Sequence, residues 1–290
     1  LMVTLTYMLF KNSKFKENIM VNLPLPFGLL NDHLNLVLSV SNGPAVEQFY
    51  GDILDLERMS DVHLPDQRRM IRYRVGESEL KFIVTSQNLL SMEGGLSNAR
   101  GIRKLALLLP YERRSGIIQR MMDAGIEIPE FAEDNMGLLS SSRGLTKDDE
   151  GNHVEIIFLN DESLDLSFSK LQIGLAVSNI SDMGDFLHEV LELDPANIEA
   201  DIHRYDLGQT QIQLWEVSKT MPKWVGRPHE MLGMTMVQFV VNDVYAARET
   251  IVERGGTIHL EPYVLGDLGV VMFAEGPDGI LFEFAASLVK

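Results

Sequence analysis

Residues 150–156, with the sequence Glu-Gly-Asn-His-Val-Glu-Ile, align without gaps on residues 278–284, Asp-Gly-Ile-Leu-Phe-Glu-Phe. In both segments a turn with glycine precedes a strand in which one glutamate, Glu155 or Glu283, stands between apolar residues. The period of two in a strand places each glutamate on the face opposite its apolar neighbours. Two copies about 130 residues apart are too widely spaced for a solenoid repeat and indicate a duplicated domain.

The ends of two predicted helices repeat in the same way. Residues 49–56, FYGDILDL, and residues 186–193, FLHEVLEL, share Phe, Leu and Leu at identical spacing. Each of these segments follows a predicted strand and precedes two more, so the repeating unit is a strand, a helix and further strands. The first strands of four such units are predicted at residues 33–40, 103–109, 171–178 and 234–241.

Four such modules in tandem, the shared helix end and the turn Pro277-Asp278-Gly279 before a strand glutamate resemble the vicinal oxygen chelate superfamily. This superfamily includes glyoxalases, bleomycin-resistance proteins and extradiol dioxygenases. The resemblance covers about residues 30 to 286 and implies an α+β fold of four βαβββ modules, arranged as two tandem glyoxalase-like domains.

The predicted organisation has four parts. They are an N-terminal extension (residues 1–28), a first domain (29–159), a linker (160–168) and a second domain (169–290). Because the chain begins with Leu1 and Met20 stands just before a proline-bearing turn, we expect residues 1–19 to be non-native or upstream sequence.

The composition argues against several classes of partner. The chain has 290 residues, 25 Lys and Arg against 42 Asp and Glu, a formal charge of −17 and no cysteine. An acidic chain without a basic run is a poor ligand for nucleic acid or for an anionic membrane surface. No apolar run reaches the length of a membrane-spanning helix. We expect a cytoplasmic monomer or homodimer that binds a small molecule, and any metal ion must be held without thiolates.

The resemblance implies a cup in each half, formed by curled sheets, in which many family members hold a divalent metal ion. Iron, manganese, nickel, cobalt and zinc are the candidates, acting as a Lewis acid on two neighbouring substrate oxygens. The family's ligands lie early on the first strand and on the last strand of a module. Glu155 and Glu283 occupy the last-strand positions. The alternative is that both carboxylates face solvent on an open sheet.

The other family positions carry unusual residues. In the second half they hold Gln172, Gln213 and Met236, and an amide and a thioether are poor ligands for a hard divalent ion. This composition argues against an ordinary extradiol dioxygenase. In the first half Asn35, Lys81 and Lys104 accompany Glu155 at the corresponding positions. We therefore treat Asn35, Lys81, Gln172, Gln213, Met236 and Glu283 as candidate ligand-binding residues.

Two histidines lie near these positions on the same strand faces. His33 precedes Asn35 by two residues and His153 precedes Glu155 by two, which suggests a metal site made of His33, His153 and Glu155. The alternative is that both are ordinary histidines at strand ends. Lys104, with Glu155, is a candidate catalytic residue that anchors an anionic ligand or keeps Glu155 ionised. Its alternative role is a salt bridge to Glu155 across the sheet.

Two functions follow from these residues. The first is a glyoxalase-like or dioxygenase-like enzyme, a metal-assisted lyase or dioxygenase acting on a small oxygenated metabolite. The second is a protein without catalytic activity that binds or sequesters a small molecule and resembles the bleomycin-resistance members. Fold similarity alone does not choose between them, because function depends on the site.

Overall fold

The computed structural model describes residues 28–86, 89–91, 94–136, 139–160, 170–199, 201–227 and 229–288. Most of the predicted N-terminal extension (1–27) and of the linker (161–168) lies outside the described residues. Among the residues that are described, no helix combines the length and the apolar composition needed to cross a bilayer.

The modules appear in the predicted order. The strands are β1 (Asn35–Val40), β2 (Glu57–Arg58), β3 (Val62–His63), β4 (Arg69–Val75), β5 (Ser78–Val84), β6 (Arg100–Pro110), β7 (Ala132–Met136), β8 (Leu139–Lys147), β9 (His153–Asn160), β10 (Lys170–Val177), β11 (Asp194–Ile198), β12 (His203–Leu207), β13 (Thr210–Glu216), β14 (Lys223–Trp224), β15 (Gly233–Val240), β16 (Thr257–Leu265), β17 (Gly269–Glu275) and β18 (Leu281–Ser287). The helices are α1 (Gly43–Val46, continued by a π-helical segment, Glu47–Ile53), α2 (Arg114–Asp123), α3 (Ile180–Asp185, continued by a π-helical segment, Phe186–Val190) and α4 (Val244–Glu253).

Local sequence accounts for the helix starts in these modules. The side chain of Asn42 accepts a hydrogen bond from the backbone N–H of Ala45, and Asn179 does the same for Ser181 and Asp182. Such caps satisfy amide groups that have no partner inside the helix. Both capped helices then run into the repeated Phe-x-x-x-x-Leu-x-Leu ends, whose apolar side chains are buried.

The strands form two sheets, and each sheet combines modules from both halves. The first sheet has the order β16-β17-β18-β15-β1-β5-β4-β2, with β3 paired to β4. The second has the order β11-β12-β13-β10-β6-β9-β8-β7, with β14 paired to β6. The first module therefore shares a sheet with the fourth, and the second with the third.

This pairing corrects the expectation that each half closes its own cup. The central contacts are β1 against β15 and β6 against β10, both antiparallel, and both join the first half to the second. The physical reason is that a strand edge accepts any neighbour with matching hydrogen-bond groups, so duplication fixes the modules without fixing their partners. The proposed domain boundaries therefore divide the sequence into two halves, but each sheet contains strands from both halves.

Strand alternation separates a core face from a cup face. In β1 and β15, Leu36, Leu38, Val237 and Phe239 are buried in the main core, as are Phe282 and Phe284 of β18. The residues between them, among them Asn35 and Glu283, belong to the opposite face. We call that face of the first sheet the first cup, and the face of the second sheet that carries Gln172 and Glu155 the second cup.

Candidate functional site

The first cup contains a cavity of about 570 Å³. Its apolar wall is formed by Val37, Leu64, Ile83, Met236 and Phe273, which together with Leu281 make a buried cluster separate from the main core. A cavity of this size with apolar walls and a few polar groups is typical of small-molecule sites.

A row of polar side chains crosses the floor of this cavity. Asn35 lies opposite Gln238 between β1 and β15, and Gln238 lies opposite Glu283 between β15 and β18. The Oε1 atom of Gln238 accepts hydrogen bonds from Asn35 Nδ2 at 3.0 Å and from Lys81 Nζ at 2.5 Å. Its Nε2 atom donates to Glu283 Oε2 at 2.6 Å. One amide therefore joins a lysine and a carboxyl group that come from opposite ends of the chain.

The surrounding charges hold this row in place. Asn35 Oδ1 accepts a hydrogen bond from the backbone N–H of Glu79 at 2.8 Å. The Glu79 carboxylate lies 3.3 Å from Arg72 and 3.5 Å from Lys81, so one carboxylate contacts two cations. Burial raises the pKa of Glu283, against the opposing effects of Lys81 and of the Gln238 hydrogen bond. The floor thus holds a cation and a buried carboxyl group with a raised pKa, joined through the Gln238 amide.

Further titratable groups line the upper part of the first cup. Burial also raises the pKa of Tyr263, and the charge of Glu283 adds to this effect. His33 is buried, and burial lowers its pKa. Its Nδ1 atom has no hydrogen-bond partner among the described residues, and the nearest carboxylate oxygen, in Asp32, is 3.9 Å away.

The second cup is built on the same plan but carries different groups. Glu155 lies opposite Ala106, and Ala106 lies opposite Gln172. Lys104 Nζ is 2.6 Å from Glu155 Oε2, which confirms the predicted salt bridge, and Arg143 lies 3.7 Å from the other oxygen of Glu155. Gln213 Nε2 donates to Gln172 Oε1 at 2.7 Å.

A tryptophan fills part of the second cup. A Cβ atom at Gly174 would lie 2.7 Å from the ring of Trp215 and 2.9 Å from the Cβ of Lys104. By the repeat that relates Gln172 to Asn35, the counterparts of Gly174 and Trp215 in the first cup are Val37 and Ile83. Both line the cavity there. The first cup therefore has open space where the second has an indole ring.

Two buried basic groups lie at the same end of the second sheet. Burial lowers the pKa of His153 to about 4, and Lys147 and Arg103 act in the same direction. Burial lowers the pKa of Arg103 to about 10. The Arg103 guanidinium donates to the carbonyls of Gly95 and Leu96, while its Nη1 atom has no acceptor among the described residues. Both side chains are buried, and two backbone carbonyls anchor the Arg103 guanidinium.

The structure thus divides the predicted site residues between two cups. Asn35, Lys81, Met236, Glu283 and His33 line the first cup, whereas Lys104, Glu155, Gln172, Gln213 and His153 belong to the second sheet. The metal set His33, His153 and Glu155 is wrong as a single site, because His33 precedes β1 and lines the first cup, whereas His153 and Glu155 lie in β9 of the second sheet. No group of three His, Asp or Glu side chains suited to a metal ion occurs among the described residues.

Sequence reasoning missed Gln238. It placed Met236 at the family position, whereas the pairing of β15 with β1 and β18 places Gln238 in the polar row and Met236 one step along the same face, in the apolar wall. Met236 and Gln238 are two residues apart, so both side chains point to the cup face. The prediction therefore identified the correct face but the wrong position along the strand. The glutamine itself was visible in the sequence, but its register against a strand 203 residues away was not.

The donors present do not suit the divalent metal that the resemblance implies. In the first cup the shared oxygen of Gln238 is already bonded to the Lys81 ammonium, and the only carboxyl group of the row, in Glu283, bonds to the Gln238 amide. In the second cup the Lys104 ammonium lies on Glu155. Hard divalent ions prefer several carboxylate, carbonyl or imidazole ligands, and a neighbouring ammonium repels them.

Comparisons with known proteins agree with this fold. Residues 169–284 match the model of the Glyoxalase/Bleomycin resistance protein/Dioxygenase superfamily. Glyoxalase I from Zea mays superposes with a TM-score of 0.68 at 14% identity, over 87% of this chain and 91% of that one. The cppA protein from Streptococcus pneumoniae TIGR4 superposes with a TM-score of 0.50 at 12% identity, over 88% of this chain and 97% of that one.

At such low identities the structural likeness establishes the fold and nothing finer. No curated protein matches the sequence. The chain therefore has the vicinal oxygen chelate fold across its four modules, and its second half matches the glyoxalase, bleomycin resistance protein and dioxygenase superfamily.

Proposed function

We propose that this protein binds a small, largely apolar molecule in the first cup and that Asn35, Lys81, Gln238 and Glu283 hold the polar end of that molecule. The observation that carries the proposal is the cavity of about 570 Å³, with its own apolar wall above a hydrogen-bonded polar floor. Of the two functions predicted from the sequence, this is the one without catalytic activity. It requires no metal ion, in keeping with the donors of both cups.

A neutral fluorescent probe tests this proposal. N-phenyl-1-naphthylamine is apolar, fits the volume of the cavity and brightens when it leaves water. We expect saturable binding with a Kd on the order of 1–100 μM. The double variant Val37→Gly/Ile83→Trp recreates in the first cup the pair that fills the second, and it should abolish binding.

The reverse exchange provides the matched control. Trp215→Ile replaces the indole of the second cup with the side chain found at the equivalent first-cup position and leaves the first cup unchanged, so it should retain the wild-type Kd. Absence of saturable binding to the wild-type protein, or equal binding by the filled variant, would show that the first cup is not a ligand site.

A metal titration tests whether the protein binds the divalent metal ion that the family resemblance implies. The apo protein is titrated with Fe, Mn, Ni, Co and Zn salts and analysed for bound metal. We expect no stoichiometric uptake, because a lysine ammonium already lies on an oxygen of each polar row. Stoichiometric uptake that is lost in Glu283→Gln would assign a metal to the first cup and favour the enzyme.

One observation favours catalysis as a second candidate function. Glu283 is a buried carboxyl group with a raised pKa at the floor of a cavity, which is a common setting for a general base. The substrate would be a hydroxy-ketone or an enolisable acid that loses a proton from carbon. In deuterated water, NMR would then detect exchange at that carbon, lost in Glu283→Gln.

The variant Glu155→Gln, in the second cup, is the comparison for the deuterium-exchange experiment on Glu283→Gln. The sequence-based hypothesis assigned catalysis to Glu155, with Lys104, so Glu155→Gln is expected to abolish activity under that hypothesis. Under the Glu283 candidate the exchange persists in Glu155→Gln. Absence of exchange with a panel of both compound classes leaves binding as the function.

A further inference from the structure

We propose that the ligand of the first cup is an organic monoanion, an acid group on an apolar body, and that the acid group binds Lys81 at the floor of the cavity. This inference rests on the proposed binding function and adds the chemical class of the ligand. It is carried by the unequal balance of charge around the cavity and by the donors that remain unused there.

The first step is the balance of charge at the floor. Lys81 and Arg72 share one carboxylate, that of Glu79, at 3.5 Å and 3.3 Å. The side chain of Lys81 is 13% exposed, and the cavity is the space that it lines. Two cations on one carboxylate leave an excess of positive charge in a partly desolvated position, where an anion is most strongly attracted.

The second step is the donor count of Lys81. An ammonium group has three N–H donors. Gln238 accepts one at 2.5 Å, and the Glu79 carboxylate lies at 3.5 Å, beyond the usual length of an N–H···O hydrogen bond. At least one donor therefore remains available to a ligand, and a charged acceptor makes the stronger bond with it.

The third step is a second cation at the cavity wall. Arg227 lines the cavity, and its buried Nε atom has no hydrogen-bond acceptor among the described residues. Its nearest carboxylate, in Glu230, lies 4.0 Å away, and its Nη2 atom contacts His259 at 3.2 Å. Arg68, by contrast, is paired with Asp66 at 2.7 Å. Arg227 therefore adds to the excess positive charge.

The remaining acidic group of the lining is separated from Lys81 by an amide side chain. Glu283 is the third carboxyl group of the lining, beside Asp66 and Glu79. Burial raises its pKa, which biases it to the neutral form, and the Gln238 amide lies between it and Lys81. The chain as a whole has a formal charge of −17, so the excess of positive charge at this cavity is opposite in sign to the net charge of the protein.

A matched pair of probes separates this inference from the proposed function. N-phenyl-1-naphthylamine and 1-anilinonaphthalene-8-sulfonate share one aromatic body, and only the second carries an anionic group. We expect the wild-type protein to bind the sulfonate at least about tenfold more tightly than the neutral probe, the usual contribution of one charge-assisted hydrogen bond.

Variants of the two cations assign the effect. Lys81→Met should reduce the preference for the sulfonate over the neutral probe, measured as the ratio of the two Kd values, by about tenfold. Lys81→Arg should keep most of the preference, and Arg227→Gln should reduce it. Lys219→Met, which removes the same charge from an exposed position outside the cavity lining, should leave both Kd values unchanged. Thermal unfolding of each variant establishes that it is folded. If Lys81→Met does not fold, the effect of Arg227→Gln on the sulfonate preference decides whether the ligand is an anion.

Displacement experiments extend the test from sulfonate to carboxylate. Octanoate should displace the bound probe at lower concentration than 1-octanol, which has the same chain without the charge. Equal binding of the two probes, or a sulfonate preference that survives both Lys81→Met and Arg227→Gln, would overturn the anionic ligand while the binding function stands. Failure of both probes to bind would overturn the binding function itself.

Discussion

Lys104 and Glu155 illustrate how one pair of side chains can be read as chemistry or as structure. Their side chains are 15% and 12% exposed and their charged atoms are 2.6 Å apart. Lys104→Met should lower the free energy of unfolding by about 2 kcal/mol, because it leaves a mostly buried carboxylate with only the more distant Arg143.

The double variant Lys104→Met/Glu155→Gln is the control for this prediction. It removes both charges, so it should cost less than the single lysine variant. Urea unfolding followed by circular dichroism measures both. If the double variant is the less stable of the two, the ion pair is not what stabilises this part of the sheet.

His153 carries a prediction about pH. Its pKa is lowered to about 4 by burial, with Lys147 and Arg103 contributing, whereas the unfolded chain has the ordinary value of about 6.5. Between these values the unfolded state binds more protons, so stability falls as the pH drops from 6.5 to 4 and is then constant. Discounted by half for solvent screening, the effect of this group is about 1.5 kcal/mol.

The variant His153→Gln isolates this contribution. Thermal unfolding measured at half-unit steps should show a shallower decline between pH 6.5 and 4 than in the wild-type protein, with little difference above pH 7. Identical pH profiles for the two proteins would mean that His153 titrates normally in the folded state.

At the scale of elements, the contact between β14 and β6 depends on a glycine. Gly101 has a φ of +133°, and a Cβ atom there would lie 2.1 Å from the carbonyl oxygen of Trp224. Gly101→Ala should therefore lower the free energy of unfolding by about 3 kcal/mol or more. Gly125, at the end of α2, has a φ of +68° with no atom within 4 Å of a Cβ position. Gly125→Ala should cost only about 1–2 kcal/mol, and urea titrations of both variants test the contrast.

At the scale of the molecule, the two halves are joined through the middle of both sheets. β1 pairs with β15 and β6 with β10, so separation of the halves would expose four strand edges. A protease site placed within residues 161–168 should therefore yield, after cleavage, two fragments that elute together in gel filtration and unfold in one transition. Two separate folded species after cleavage would contradict this arrangement.

Most of the fold could be predicted from two features of the sequence, the repeats and the alternation of apolar and polar residues in the strands. The period of about 130 residues predicts a duplicated domain, and the recurring strand-helix-strand unit predicts two modules in each copy. Alternation put Glu283 on the face opposite its apolar neighbours, because side-chain direction in a strand is a local property, and the family resemblance gave Asn35 and Lys81 as cup positions. Helix ends and strand faces are determined within a few residues of chain, and they could be predicted for that reason.

The composition of each cup could not be predicted in this way. Gln238 meets Asn35 across 203 residues and Lys81 across 157, and no local signal selects β15 as the neighbour of β1. The same uncertainty put His33 with Glu155 in one hypothetical metal site, although His33 lines the first cup and Glu155 lies in the second sheet.

The sequence by itself determined the modules, their order and the side chains that each strand turns away from the core, since backbone geometry and hydrophobic pattern act locally. Only the tertiary structure decided that the first module completes its cup with the fourth, that Gln238 joins Lys81 to Glu283, and that Trp215 fills one cup while Ile83 leaves the other open. Strand edges are chemically alike, so the choice among them depends on the packing of the whole chain.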